Sequence, residues 1–501
     1  MTLSARTLIV LVAGAMALPI VMDAQSTPTT ARTETRIQLA DLLLDDQRYW
    51  EAIPVYDQAK DGATPEQLVR ASAGMLRALL QVGEFNRAYV EAEYLRELEP
   101  GDAETLSLHG DALWAYGLFE EAEQVYRDVL AIDPESAAAR HGLARSLATS
   151  HRYDEALDWV ASALNISPDV PAFHHTLGYI YERMHRFPEA ADAFDAYVTR
   201  MPATNSETRL SWARAEVDFL RAFGDRPAIQ LAEPGRLHTI PFRLIRDKVI
   251  IRGRVNGQDP MDFVLDTGAE HTVLSQQAAR RLGVQPMTNM LSAGVGEAGL
   301  RGLQAGRIDS LEFGSLRVDN LPALIKSPPL GGLPTPEAEG FSPLALGLSM
   351  TIDYGRSQLV VGETLPDEPS EIVLPLRQHR LAVVRGVVDG QYPRSFVVDT
   401  GGQVISISRG TASLLPPLDV RQVPLRVYGT SGWDDSAYLR PGVDLAFSQL
   451  QYHNYSVVVL NLHRPSALLG FHIGGIVGHM FLKDYRVTLD LNRNVMKLTR
   501  L

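Results

Sequence analysis

Phe263-Val264-Leu265-Asp266-Thr267-Gly268 and Phe396-Val397-Val398-Asp399-Thr400-Gly401 are two copies of one phrase, set 133 residues apart in a chain of 501. Each is an apolar run that ends in Asp-Thr-Gly, so each reads as a buried strand stopping at a tight turn that carries a carboxylate. The match extends outward at the same offset. Arg252-Gly253, Val255, Gly257-Gln258 and Pro260 return as Arg385-Gly386, Val388, Gly390-Gln391 and Pro393, and Ser275 returns as Ser408. Strand patterns follow both turns, at Thr272-Val273-Leu274 and at Val404-Ile405-Ser406-Ile407. One Asp-Thr-Gly suits any turn, because Asp caps turns readily. Repetition of the whole segment implies a duplicated lobe, and the spacing is of domain size.

Two carboxylates on facing turns, about 3 Å apart, cannot both ionise cheaply, so they hold one proton between them and titrate in two steps. The ionised member can take a proton from a water while the protonated member donates to a peptide carbonyl oxygen. Which aspartate takes which part is not fixed by the sequence. The alternative is a two-lobed β-protein whose aspartates only cap turns, a reading that does not require identical loops.

Residues 238–501 resemble the two-lobed aspartic proteases of the retropepsin-like and pepsin-like kind, through 263–269, Ile476-Val477-Gly478 and Thr488-Leu489-Asp490. The resemblance implies an all-β bilobal fold of double-psi barrel type, with Asp266 and Asp399 as the catalytic pair. It implies that Thr267 and Thr400 bond across to the opposite lobe, and that Gly268 and Gly401 let backbone N–H groups approach the carboxylates. Ile476, Val477 and Gly478 would pack beneath the second loop. The chain departs from the pattern in two places. Ala269 and Gly402 stand where pepsin-like enzymes carry a hydroxyl. In lobe one the supporting glycine is ambiguous between Gly340, preceded by Ala338-Glu339, and the Ala345-Leu346-Gly347 segment. Flap candidates are Gly294 and Gly296 in lobe one and Tyr428, Gly429 and Trp433 in lobe two, with ordinary hairpins as the alternative. The Gly294-x-Gly296-x-x-Gly299 spacing also fits a dinucleotide pattern, but no βαβ unit surrounds it.

The front half is periodic. Proline recurs at 100, 134, 168 and 202, alanine at 88, 122, 156 and 190, and an aromatic at 85, 119, 153 and 187. A period of 34 with small, aromatic and terminal proline positions is the tetratricopeptide pattern, two antiparallel helices per unit. About five repeats are expected over 37–202, the first an irregular copy around Tyr49-Trp50-Glu51-Ala52, followed by a closing helix over 206–223 that stops at Gly224. Such arrays carry a concave groove suited to a protein or peptide partner, with a spacer or dimerisation module as the alternative. The expected order is a signal peptide over 1–24, a linker over 25–36, the array with its closing helix over 37–224, a linker over 225–237, lobe one over 238–365 and lobe two over 366–501.

Residues 25–225 carry 34 acids and 18 bases, net −16, against −13 for the whole chain. An array this acidic excludes nucleic acid as the expected partner and suits basic ligands, or docking against its own near-neutral second half, with an ordinary solvated helical surface as the leading alternative. Arg6 and the apolar run from Leu8 to Met22 read as an export signal, with an uncleaved membrane anchor as the alternative. The expected location is the periplasm of a Gram-negative cell, or secretion. The chain has no cysteine, so an exported form owes nothing to disulfides. No cofactor or metal is expected. His174-His175 lacks completing ligands, and the His-Glu-x-x-His, Gly-x-x-x-x-Gly-Lys-Ser/Thr and Gly-x-Ser-x-Gly motifs are missing. The expected function is an exported endopeptidase whose array recruits its client. The alternatives are a peptide-binding scaffold that does not cut, and an enzyme that frees its array by self-cleavage within 225–240.

Overall fold

The computed structural model describes residues 29–201, 207–224, 226–292, 294–295, 301–326, 339–417, 422–429 and 432–501. The N-terminal part is helical: α1 (Thr29–Asp45), α2 (Tyr49–Ala59), α3 (Pro65–Gln81), α4 (Phe85–Leu98), α5 (Ala103–Tyr116), α6 (Phe119–Ile132), α7 (Ala137–Ala148), α8 (Tyr153–Ile166), α9 (Pro171–Arg183), α10 (Phe187–Arg200) and α11 (Glu207–Arg221). The 34-residue period is the repeat of five helix pairs. Each periodic aromatic opens a second helix, and Ala88, Ala122, Ala156 and Ala190 are wholly buried where the paired helices touch. Local sequence fixes the boundaries. Thr64 and Gln67 form a capping box ahead of Pro65, Asp102 accepts from the Thr105 N–H at 2.8 Å, and Gly224 takes φ +62° beyond α11.

Two expected linkers are corrected. Residues 29–36 belong to α1, so the first repeat begins before residue 37; this stretch is too polar to show an apolar period, yet Thr33 is buried. In the stretch 225–237, Ala228 and Ile229 are buried and Gln230–Leu231 pairs with Val318–Asp319 of lobe one. The expected signal peptide lies outside the described residues. Among the described residues, no helix is long and apolar enough to cross a membrane.

The β-rich part consists of two lobes joined by one six-stranded antiparallel sheet. Its order is Ile372–His379, Val495–Arg500, Tyr485–Asp490, Ser349–Asp353, Gln358–Gly362 and His238–Ile245. Three strands come from each end of the duplication, and at the centre the Thr351 and Thr488 hydroxyls meet at 2.8 Å. The repeated flanks now have reasons. A Cβ on Gly253 would lie 2.3 Å from the Phe313 ring, and one on Gly386 would lie 2.7 Å from the Phe396 and Phe447 rings. Asn256-Gly257 and Asp389-Gly390 are both left-handed at hairpin tips, at φ +50° and +69° and at +49° and +67°. Ser275 and Ser408 each cap a short helix that follows the aspartate loop.

The array is docked, as its charge allowed. The surface it uses is the edge formed by the turns within each repeat, pressed mainly on lobe two. Main-chain bonds cross the junction, from His472 N–H to Ala115 O at 2.7 Å and from Gln378 N–H to Thr149 O at 2.8 Å. Ser395 donates to Gly117 O at 2.6 Å. Arg377 reaches Glu120 at 2.8 Å and Glu123 at 3.3 Å, and Arg385 pairs with Glu121. Phe119 packs edge-on against Phe471 and Trp114 against His379. One continuous apolar core therefore runs from Leu113 in α5 to Leu498, whereas residues from Ile37 to Ala112 keep a separate core. The first helices of the early repeats line a groove of about 620 Å³ that includes Leu44, Arg77, Glu104, Leu108 and Asp111.

Candidate active site

Each aspartate ends a buried strand whose position is fixed by a parallel strand beneath it. In lobe two, Phe396–Val398 pairs with Gly475–Val477, and the Asp399 N–H donates to Val477 O at 3.0 Å. Lobe one repeats the arrangement with Phe263–Leu265 on Glu339–Phe341, and the Asp266 N–H donates to Phe341 O at 2.8 Å. The lobe-one support is thus Gly340-Phe341-Ser342, in register with Ile476-Val477-Gly478. Neither expected alternative is right: Gly340 replaces Ile476 and not Gly478, and Gly347 is the left-handed cap of the short helix Pro343–Leu346. Glu339 is an unpromising residue for the place, yet it is buried, and its carboxylate accepts from the Ser275 N–H at 2.5 Å and the Ser275 hydroxyl at 2.9 Å.

The two loops interlock. Thr267 Oγ1 donates to Val398 O at 2.6 Å and accepts from the Thr400 N–H at 3.0 Å. Thr400 Oγ1 donates to Leu265 O at 2.7 Å and accepts from the Thr267 N–H at 3.1 Å. Both threonines are buried, and all four bonds cross between lobes. The glycines permit the approach of each loop to the other's carboxylate. A Cβ on Gly268 would sit 2.7 Å from Asp399 Cγ, and one on Gly401 would sit 2.7 Å from Asp266 Oδ1. The carboxylates are oriented by backbone donors: Gly268 N–H to Asp266 Oδ1 at 3.1 Å, and Gly401 and Gly402 N–H to Asp399 Oδ1 at 2.8 and 2.9 Å.

Charge at the pair follows from this packing. Asp399 is half-buried, and its pKa is pushed up to about 7, first by removal from water and then by the adjacent Asp266 carboxylate. The Gly401 and Gly402 amides pull the other way and are outweighed. No side-chain hydroxyl stands at 269 or 402 to add to them.

Several neighbours were not legible in the sequence. The Lys248 ammonium reaches across from lobe one to Gly401 O at 3.0 Å. Tyr354 Oη meets His479 Nδ1 at 3.3 Å beside the lobe-two support. Glu270 extends the first loop and is held by Arg380 Nε at 2.6 Å. The only sequence signal for this pair is that Glu270 and Arg380 lack partners at the 133 offset, where Gln403 and Asp247 stand.

Of the flap candidates, Gly294 lies beside the hairpin of Pro286–Ser292 and Arg301–Phe313, and Gly296 lies outside the described residues. Tyr428, Gly429 and Trp433 lie on the small hairpin of Val427–Gly429 and Gly432–Asp434. The hairpins belong to different lobes and touch, since a Cβ on Gly429 would fall 2.6 Å from Val295 Cβ. Tyr428 packs edge-on against Trp433, whose face carries the Arg426 guanidinium at 4.4 Å. His174 bonds Pro168 O and His175 packs on Phe194 and Tyr197. Among the described residues, no group of three or more His, Asp or Glu side chains is placed to hold a metal ion.

Residues 251–349 match the family model described as aspartyl protease, and residues 74–136 and 113–178 match two models described as tetratricopeptide repeat. No curated protein matches the chain. Among solved structures, a thermophilic TPR protein of Thermus thermophilus is similar at 20% identity over 37% of this chain and 98% of its own, with a TM-score of 0.33. MamA 41-end from Desulfovibrio magneticus RS-1 is similar at 18% identity over 36% of this chain and 100% of its own, with a TM-score of 0.26.

Proposed function

We propose that this chain, a tetratricopeptide array joined to an aspartyl-protease domain, is an exported endopeptidase that hydrolyses peptide bonds of a protein client. One observation carries the reading: two aspartates from the two halves of a duplication are brought together on loops locked by four hydrogen bonds. With one proton held between them, the ionised carboxylate takes a proton from water, and the water oxygen attacks the peptide carbonyl carbon. The protonated carboxyl donates to the carbonyl oxygen; as the tetrahedral species collapses, the carboxyl that took the water's proton gives it to the nitrogen, the other takes back the hydroxyl proton, and the C–N bond breaks. The scaffold alternative drew on an irregular support in lobe one. The same parallel pairing and the same N–H to C=O bond under both loops favour the catalytic reading. The groove of the early repeats is the proposed client site, and the N-terminal sequence motivates export to the periplasm or beyond.

The pH profile tests this. A pair holding one proton works between its two titration steps, and the upper step is raised by burial and by the like charge. Cleavage of a short peptide by the mature chain is expected to peak between about pH 5 and 7 and to fall as pH rises past the upper step. An optimum below about pH 3, where a hydroxyl-supported pair such as pepsin's works, would contradict the account.

A further inference from the structure

We infer that the repeat array completes the active site: Tyr179 of α9 is a positioning residue that holds the Arg380 hairpin, and through Arg380 it fixes Glu270 and the Asp266 loop. The inference rests on the proteolytic reading above and adds a second role for the array.

Arg380 is the apex of the hairpin between Ile372–His379 and Leu381–Val388, where its backbone is left-handed at φ +61°. Three parts of the molecule converge on it. Its backbone N–H donates to the Tyr179 hydroxyl of the array at 3.3 Å. Its Nη1 donates to Leu468 O of lobe two at 3.3 Å. Its Nε donates to Glu270 Oε2 of lobe one at 2.6 Å. Glu270 lies four residues after Asp266, directly beyond Ala269, whose N–H closes the turn on Asp266 O at 3.2 Å. A displacement of Arg380 is therefore passed to the loop that carries a reacting carboxylate.

Tyr179 also lays its ring on His379 of the same hairpin, centroids 4.9 Å apart. The other titratable groups here are Glu182 and Glu216 of the array, whose carboxyls burial raises, Glu216 to about 8, Arg183, whose field is shared with Tyr153 and Tyr179, and His271 and His379, which burial holds neutral. The Glu270 carboxylate offsets part of the cost of taking the Arg380 guanidinium out of water. Helix α11 also packs on Pro286–Ser292, the strand that leads to the Val295 contact with Gly429. At the duplicated positions Asp247 and Gln403 carry no positive charge and cannot form the ion pair.

The test uses the full chain with Tyr179→Leu, which removes both the hydroxyl on the Arg380 N–H and the ring on His379, and Tyr179→Phe as a second, milder variant. Expected are a kcat on a short peptide lowered by about tenfold to a hundredfold, with KM within about twofold, and faster amide exchange across 266–271. Combining either with Glu270→Gln should fall short of the sum of the separate losses, because Tyr179 acts through Arg380 and Glu270. Glu155→Gln, on the exposed face of α8, should leave both readouts unchanged. Wild-type kcat with unchanged exchange in both variants would overturn the inference, as would full additivity with Glu270→Gln. If the wild type cleaves nothing, the proteolytic reading fails, and the exchange measurement still decides the positioning role.

Discussion

The Asp399→Asn chain is expected to fold, to have lost peptide cleavage, and to melt at a higher temperature than the wild type at pH 8. The loss should be at least about 10⁴-fold in kcat, as for other groups that act as a catalytic unit, and Asp266→Asn should match it. The stability effect has a definite sign. An unfolded aspartate titrates near about 3.9, whereas in the fold Asp399 is raised to about 7 by burial and by Asp266. Between those values the folded chain binds the proton and the unfolded chain does not, so stability falls as pH rises through the window and the penalty is complete above it. Asparagine removes the penalty, so the gain should be large at pH 8 and vanish near pH 4. The backbone bonds that lock the loops use Thr267, Thr400, Leu265 and Val398, none of which the substitution touches. Thermal melts of wild type and variant at both pH values, beside peptide turnover, check both halves.

Removing the array in two different places is expected to give opposite results. A chain of residues 226–501 should be insoluble, because the apolar core does not stop at the domain boundary. Phe471 and His379 would lose Phe119 and Trp114, and the His472 and Gln378 amides would lose their carbonyl partners. Removing residues 29–101 instead cuts inside the part that keeps its own core. That shorter chain should stay monodisperse and cleave a short peptide within about threefold of the wild type, while losing about a hundredfold on the native client, since it has lost the groove that raises local client concentration. Size-exclusion chromatography and paired assays on peptide and client would show it. A soluble, active 226–501 fragment would refute the shared-core account.

The duplicated phrase made the centre of the molecule readable. It announced two equivalent lobes and the aspartate turns, while the crossed threonine bonds and the glycines that admit carboxylates followed from the resemblance to two-lobed aspartic proteases. The periodic alanines and aromatics announced the helix pairs in the same way. What stayed hidden depends on partners distant in sequence. Glu339 looked unfit for a buried support strand because its acceptor bonds come from Ser275, 64 residues away. The polar start of α1 concealed a helix, since propensity there yields no apolar period. The docking edge left a faint trace, in that Trp114, Tyr116 and Leu118 cluster where a repeat turns and solvent would be expected. Reading that cluster as an interface requires knowing what faces it.

The central claim is that the paired aspartates activate water to cut a peptide bond. The most direct measurement is cleavage of an unbiased peptide library in ¹⁸O-labelled water near pH 6, read by mass spectrometry, with the Asp266→Asn and Asp399→Asn chains alongside. The account predicts cuts at a consistent sequence preference, one labelled oxygen in each new carboxylate, and no cuts by either substituted chain. A folded wild-type chain that leaves the whole library intact, or cuts that persist in both substituted chains, would contradict it.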